Sequence, residues 1–393
     1  MAEAILQQWL LLHHVPGLGP ARIAGLRKRL GQPASILGTD IATLRACGLD
    51  SALAQALLVA GQPGSKTWQR ARADLDWQNQ HPDNHLLCPD HTDYPALLAR
   101  LPDPPAILYL KGNRAALRLP AVGMVGSRNA SHYGRETAIR LAHDLGRRGL
   151  AVVSGLARGI DAASHHGSVR GGGHTLAVLG SGLEKIYPAA NRGLADAIRE
   201  QGLLVSEFAR DLPPRAGQFP RRNRLIAGLS LGVLVVEAGL RSGSLITARM
   251  ALEQNREVMA VPGPISAPGS RGCHQLLRDG AVLVESAHDV MDALASPLCQ
   301  IAAGLGQQIL DDPDPVPPGT STMAAPPPPG RAEQRLFDSL DVRPCSFDLL
   351  LQRSGLPATE VSRLLLRWRL EGRVVAAGEG YRRADIADGH GAP

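Results

Sequence analysis

Five short stretches carry residues able to hold a polyanion. Gly126, Ser127 and Arg128 follow the apolar run "AVGMV"; Gly155 and Arg158 lie in "SGLARG"; Lys185, Tyr187 and Asn191 lie in "GLEKIYPAAN". Phe219, Arg221, Asn223 and Arg224 belong to "FPRRNR", and Ser242, Gly243 and Ser244 precede an apolar helical pattern. Small residues at such turns leave backbone amides and helix N-termini open to an anion. The cations neutralise phosphates, and Tyr133, Tyr187, Phe208 and Phe219, the aromatics between residues 121 and 294, all fall in predicted strand-to-helix loops where rings can stack on bases. That combination suits single-stranded nucleic acid. Each feature also has a plainer account: glycines end strands anyway, Arg128 can pair with a carboxylate, and Tyr187 before Pro188 can plug a loop. Glu207 and Glu237 read as structural partners of arginines rather than catalysts.

Other chemistries lack their residues. No GxGxxG follows the first run and there is no GxxxxGK[ST], which argues against a dinucleotide site and a P-loop. No HExxH or aspartate cluster offers a metal site, and the pairs His13–His14 and His165–His166 point to different faces of a helix. The pattern favours a binder over an enzyme and predicts no cofactor.

The elements that must position these residues lie between 121 and 294. There the runs "AVGMVG", "LAVVSG", "TLAVLGSG", "LLVSEF", "LGVLVVEA", "EVMAVPG" and "AVLVES" alternate with helical patterns such as "YGRETAIRLAHDLGRRG". Continuous apolar runs are strands buried on both faces, and strand–helix alternation predicts a doubly wound parallel α/β sheet. In that architecture ligands bind beyond the carboxyl ends of the strands, which is where all five stretches fall.

Composition adds less. The net charge is +6, from 42 basic and 36 acidic residues, and suits a polyanionic partner. Arginine so outnumbers lysine that a base-composition bias accounts for much of it; Lys185, the lone lysine of residues 121–294, is the more informative cation. Cys47, Cys88, Cys273, Cys299 and Cys345 form no CxxC pair, as in a reduced intracellular protein without structural zinc. The segment "AILQQWLLL" is too short to span a bilayer and has no basic flank, so a soluble cytoplasmic protein is expected.

Residues 1–85 read as a helical domain. "HHVPGLGPARIAGLRKRLG" has the form of a helix-hairpin-helix, either a phosphate-approaching turn or an ordinary packing unit. Residues 86–120 read as a proline-rich connector with a short strand, leading into a domain of 86–294. Residues 295–330, with "DDPDP" and "APPPPG", are a proline-rich linker that cannot repay its ordering entropy. Residues 331–384 read as a winged helix with helices "EQRLFDSL", "SFDLLLQRSG" and "PATEVSRLLLRWRLEGRV" and a wing "VVAAGEGYRR". Arg363, Arg367 and Arg369 on its third helix either face double-stranded DNA or form a solvated face.

The blocks "GSR" (126–128), "SGLARGIDAASHHG" (154–167), "VLGSGLEKIYPAANRGL" (178–194), "FPRRNRLIAGLS" (219–230), "VVEAGLRSGSLITARMALEQNREVMAVPG" (235–263) and "LLRDGAVLV" (276–284) together resemble the DNA-processing protein A (DprA/Smf) family over 86–294. The resemblance implies an extended Rossmann-like domain flanked by an N-terminal SAM- or helix-hairpin-helix-like domain and a C-terminal winged helix. It implies sequence-independent single-stranded DNA binding, a homodimer through the Rossmann-like domain with "GCHQLL" (272–277) near the subunit contact, and loading of the RecA recombinase during natural transformation. Position by position, Gly126, Ser127 and Arg128 would grip a phosphate. Lys185, Tyr187 and Asn191 match a KxYPxxN block, and Phe219, Arg221, Asn223 and Arg224 match FPxRNR. Ser242 to Thr247 would supply a helix N-terminus. The competing reading is a nucleotide-hydrolysing enzyme of the phosphoribohydrolase type. It requires a PGGxGTxxE block, whereas here the glutamate precedes the glycines.

Overall fold

The computed structural model describes residues 2–299 and, beyond them, 336–337, 340, 345–357, 360–361, 364–365, 368, 374–377 and 380–383. Residues 300–335 of the expected linker and module, and Arg363, Arg367 and Arg369, lie outside the described residues. The contacts divide the chain into two units, Met1–Asp312 and Pro313–Pro393.

In the first unit nine strands form one sheet. β1 (Asn84–Leu87) and β2 (Leu108–Gly112) precede the seven that the apolar runs predict: β3 (Ala121–Gly126), β4 (Ala151–Ser154), β5 (Thr175–Val178), β6 (Leu203–Ser206), β7 (Gly232–Glu237), β8 (Glu257–Ala260) and β9 (Val282–Leu283). Their order is β1-β2-β6-β5-β4-β3-β7-β8-β9. Those seven are parallel, while β1 and β2 extend the β6 edge antiparallel. The parallel sheet expected for 121–294 is therefore present, with an antiparallel extension at that edge. What reads as a connector with one strand is a two-stranded extension, and its Tyr109 is fully buried.

The chain winds outward from β3 to β6, then returns to lay β7 against β3. The crevice at the carboxyl ends of β3 and β7 is thus the topological switch point. Alternation along the strands feeds two cores: Val233 and Val235 pack with Leu225, Ile226 and Ala248, whereas Leu234 and Val236 pack with Leu141, Leu145 and Ile160. The helices that supply these faces are α8 (His132–Arg147), α9 (Ile160–Arg170), α11 (Gln218–Gly228), α12 (Ser244–Glu253), α13 (Arg271–Arg278) and α14 (Ala287–Ala293), while α10 (Arg192–Gln201) packs into a third core.

The N-terminal segment forms α1 (Ala2–His14), α2 (Pro20–Leu30), α3 (Pro33–Leu37), α4 (Ile41–Ala46), α5 (Ser51–Ala60) and α6 (Lys66–Gln80); a short α7 (Ala96–Ala99) lies between β1 and β2. The α1–α2 hairpin turns at Gly17 (φ +83°), and Gly19 begins α2 without a side-chain cap. Trp9, Leu10, Leu57 and Leu75 of these helices share one core with Ile107, Tyr109, Ile198 and Leu204. Each such side chain contributes about 1.5–3 kcal/mol on burial, so the helices are bound firmly to the sheet's β2–β6 edge. Residues 295–299, the start of the expected linker, are helical.

In the second unit β10 (Cys345–Ser346), α15 (Phe347–Ser354), β11 (Val374–Ala377) and β12 (Gly380–Arg383) are described. β11 and β12 pair antiparallel as the expected wing, and Leu336, Leu350, Leu364 and Trp368 form the core. No described helix is long and apolar enough to cross a membrane.

Candidate functional site

The switch point opens into a cleft of about 830 Å³. Its floor is the turn after β3. A bulge between Val125 and Gly126 shifts the turn's register on β7, and the Ser127 amide donates to the Glu237 carbonyl (2.7 Å). Only glycine fits at 126, because a Cβ there would lie 2.5 Å from Ile160 Cγ1 and 2.8 Å from the Glu237 carbonyl oxygen. Gly126→Ala is expected to cost about 1–3 kcal/mol, since backbone and packed side chain must both move; thermal unfolding of the variant checks it.

The neighbouring turns are stitched to this one. Ile160 N donates to the Ser127 carbonyl (3.1 Å), and Leu156, at φ +56°, is held by the Asn191 amide, which donates to the Leu156 carbonyl (2.8 Å). Beneath them Asp161 accepts from Gly155 N (3.1 Å), and Arg222 donates to the carbonyls of Gly155 (2.7 Å) and Val178. Burial raises the Asp161 carboxyl above the usual carboxylate range despite the Arg222 charge. The same burial pushes the Arg222 guanidinium down to about 10, so it remains a cation at neutral pH.

Glu237 does not pair with an arginine as expected. Its carboxylate accepts from the backbone N–H (3.0 Å) and hydroxyl (2.5 Å) of Ser131, the residue that caps α8. Glu207 does follow expectation: it is 3% exposed and ion-paired to Arg224, with Arg221 at 3.4 Å.

The expected site residues sort into three groups. Gly126, Ser127, Arg128, Tyr187, Phe219, Asn223, Ser242, Gly243, Ser244 and Thr247 all line the cleft. Gly155 and Arg158 line an adjoining cavity of about 300 Å³ that shares Arg128, Tyr187 and Phe219 with it. Lys185, Asn191, Arg221 and Arg224 line neither. Lys185 is exposed on the loop beside Tyr187. Arg221 stands half-exposed over the Phe208 ring (5.5 Å). Asn191 and Arg224 make internal contacts: the half-buried Asn191 donates to the β4 turn, and the buried Arg224 pairs with Glu207 and donates to the Asp103 carbonyl (2.9 Å).

The aromatics also divide. Tyr187 is exposed, its ring 5.6 Å from that of Phe219, and the Arg128 guanidinium lies 5.5 Å from the Phe219 centroid. Gly180 makes room for Phe219, whose ring a Cβ would meet at 2.7 Å. Phe208 is a correction, being only 6% exposed and part of the interior. Tyr133 and Phe219 sit in the first turns of α8 and α11 rather than in loops.

Arg222 of the "FPRRNR" stretch lines the cleft as well, as do Arg215 and Arg241, which do not stand out in the sequence. In an arginine-rich chain nothing marks Arg215, four residues before Phe219; Arg241 could have been found by its place directly before "SGS". Among the described residues, Arg128, Arg158, Arg215 and Arg241 make no ion pair within 4.0 Å. Gly243 begins α12 without a side-chain cap, its N-terminus facing the cleft. Positive charge, a helix N-terminus and paired rings around one crevice can hold phosphates and bases together. Among the described residues no group of three His, Cys, Asp or Glu side chains could hold a metal ion, and the described cysteines are all free.

Comparison with known proteins matches residues 85–295 to the family model of DNA recombination-mediator protein A and residues 320–380 to that of the DprA winged helix domain. Protein Smf of Escherichia coli is 41% identical over 312 residues, covering 79% of this chain and 80% of that protein. The X-ray structure of DNA processing protein A from Streptococcus pneumoniae aligns with a TM-score of 0.61 at 34% identity, over 72% of this chain and 95% of that one. DNA processing protein A from Helicobacter pylori, whose structure was solved for its single-stranded DNA binding mode, aligns at 0.50 and 30% over 55% and 96%.

Proposed function

This chain belongs to the DNA recombination-mediator protein A family, and we propose that it binds single-stranded DNA without sequence preference and mediates recombination by loading the RecA recombinase onto it. The observation that carries the DNA part is the cleft itself. Arg128, Arg215 and Arg241, without carboxylate partners among the described residues, surround an uncapped helix start beside the Tyr187–Phe219 pair. Phosphate contacts of this kind supply affinity without reading sequence, and stacking tolerates any base.

Gly126, Ser127 and Arg128 grip one phosphate, and Lys185 and Arg158 extend the track past Tyr187. Asn223, Ser242, Ser244 and Thr247 offer polar edges on the opposite wall. The protein acts by binding rather than turnover: Asp161, the one carboxylate among the described residues lining the cleft, is committed to Gly155 N. RecA as partner, natural transformation as setting and the cytoplasm as location rest on family membership. The homodimer is supported by β9, whose Val282 (37%) and Leu283 (49%) leave an exposed apolar sheet edge beside α13.

Fluorescence anisotropy with labelled oligo-dT and a duplex of equal length tests the reading. The single strand is expected to bind tighter, and log K should fall against log salt with a slope of about −3 to −4, at roughly 0.7 per neutralised phosphate. Equal affinity for the duplex, or a slope near zero, would reject the cleft as the strand's site.

A further inference from the structure

The N-terminal helices reach the cleft's loops through one buried carboxylate. Asp74 of α6 is 3% exposed where the helices meet the sheet edge. One of its oxygens accepts from His14 Nε2 (2.7 Å) and from the Tyr109 hydroxyl (2.5 Å). Burial pushes this carboxyl upward, but hydrogen bonds from His14, Tyr109 and Arg210 outweigh it and hold the group below its usual range. It is therefore an anion at neutral pH. His14 and Tyr109 belong to the shared core and already occupy one oxygen. The other oxygen accepts from Arg210 Nε (2.9 Å), and Arg210 belongs to neither helix nor strand.

Arg210 opens the loop between β6 and α11, the segment that carries Arg215 toward Phe219. Its Nη1 donates to Glu184 (2.5 Å), on the loop that carries Lys185 and Tyr187. The two loops are also zipped by backbone bonds, Glu184 N to the Arg210 carbonyl and Gly182 N to the Leu212 carbonyl, both 2.9 Å. A charged anchor on a rigid helix thus holds a side chain that bridges both loops.

Building on the single-strand reading above, we propose that Asp74 is a positioning residue for DNA binding: through Arg210 it sets the two loops that present Tyr187 and the outer cations Lys185 and Arg215. The N-terminal helices then serve the site without touching the strand. Leu183 and Phe208 seat the two loops in the interior, and the Asp74–Arg210–Glu184 chain adds a charged link from them to α6.

The test uses the full chain and two variants. Asp74→Asn removes the charge at constant shape, and Arg210→Gln cuts the link while leaving the His14–Asp74–Tyr109 cluster in place. Hydrogen–deuterium exchange over 182–187 and 209–217 is expected to quicken roughly 10-fold in both variants, as a lost charge-assisted bond implies. Oligo-dT affinity should fall on the order of 10-fold. In a Tyr187→Ala background the same substitutions should cost much less, because the ring they position is gone. Unchanged exchange in Arg210→Gln overturns the proposal, as does a loss fully additive with Tyr187→Ala. Exchange needs no DNA, so a wild-type chain that fails to bind oligo-dT refutes the single-strand reading while the exchange data still decide whether Asp74 holds the loops.

Discussion

Arg128→Ala is expected to weaken oligo-dT binding by roughly 10- to 100-fold, the worth of a hydrogen bond to a charged group in a partly desolvated site. The side chain stands exposed at the mouth of the cleft, with no carboxylate within ion-pairing distance among the described residues, and lines both the cleft and its side cavity. Its charge is therefore unspent in the free protein and available to a phosphate. Loss of that contact should also lower the salt slope by about 0.7, the signature of one phosphate fewer. Thermal stability should hardly change, because an exposed side chain resting on Phe219 supports nothing else. Arg128→Lys separates charge from geometry: it restores the slope, but recovers affinity only partly if the planar guanidinium also sandwiches a base against Phe219. Wild-type affinity and slope in Arg128→Ala would remove the phosphate grip from the turn after β3.

The parts of this site that are legible in the sequence are those dictated by backbone geometry. Strands buried on both faces can be written only as apolar runs, so β3 to β8 and the turns that follow them declare themselves. Gly126 and Gly180 are glycines because Ile160 and Phe219 leave no room for a side chain. Helical phase, in contrast, is invisible until the helix start is known. In "FPRRNR" three arginines stand within four residues, and α11 sends them to three environments: Arg222 beneath the cleft, Arg221 onto Phe208, Arg224 into a buried ion pair. The rule that loop aromatics are exposed holds for Tyr187 and fails for Phe208, whose segment turns inward beside Glu207. β1 escapes because the four residues "NHLL" are too few to show a period.

The same phase argument predicts the second large effect. Arg224 has the motif position of a DNA contact, yet its side chain is one-tenth exposed and paired to Glu207, itself 1% exposed. Arg224→Ala should therefore destabilise the protein by about 3–5 kcal/mol, because it strands a buried carboxylate. The pH dependence follows from Glu207. Burial raises its carboxyl above the ordinary value even with Arg224 and Arg221 beside it, and removing Arg224 raises it further. A carboxyl whose folded pKa exceeds its unfolded value of about 4.3 favours the folded state most below that value, and stability declines as pH rises through the folded pKa. The variant's deficit should accordingly be smallest at acid pH and grow as pH rises above the unfolded value. Glu207→Gln combined with Arg224→Ala should recover part of the loss and flatten the pH dependence, since the charges left without these partners, Arg221 and Asp103, are partly exposed to solvent. Urea unfolding at several pH values reads both effects. If Arg224→Ala instead keeps wild-type stability and loses only DNA affinity, the guanidinium belongs to the cleft and the ion pair with Glu207 is not what holds it.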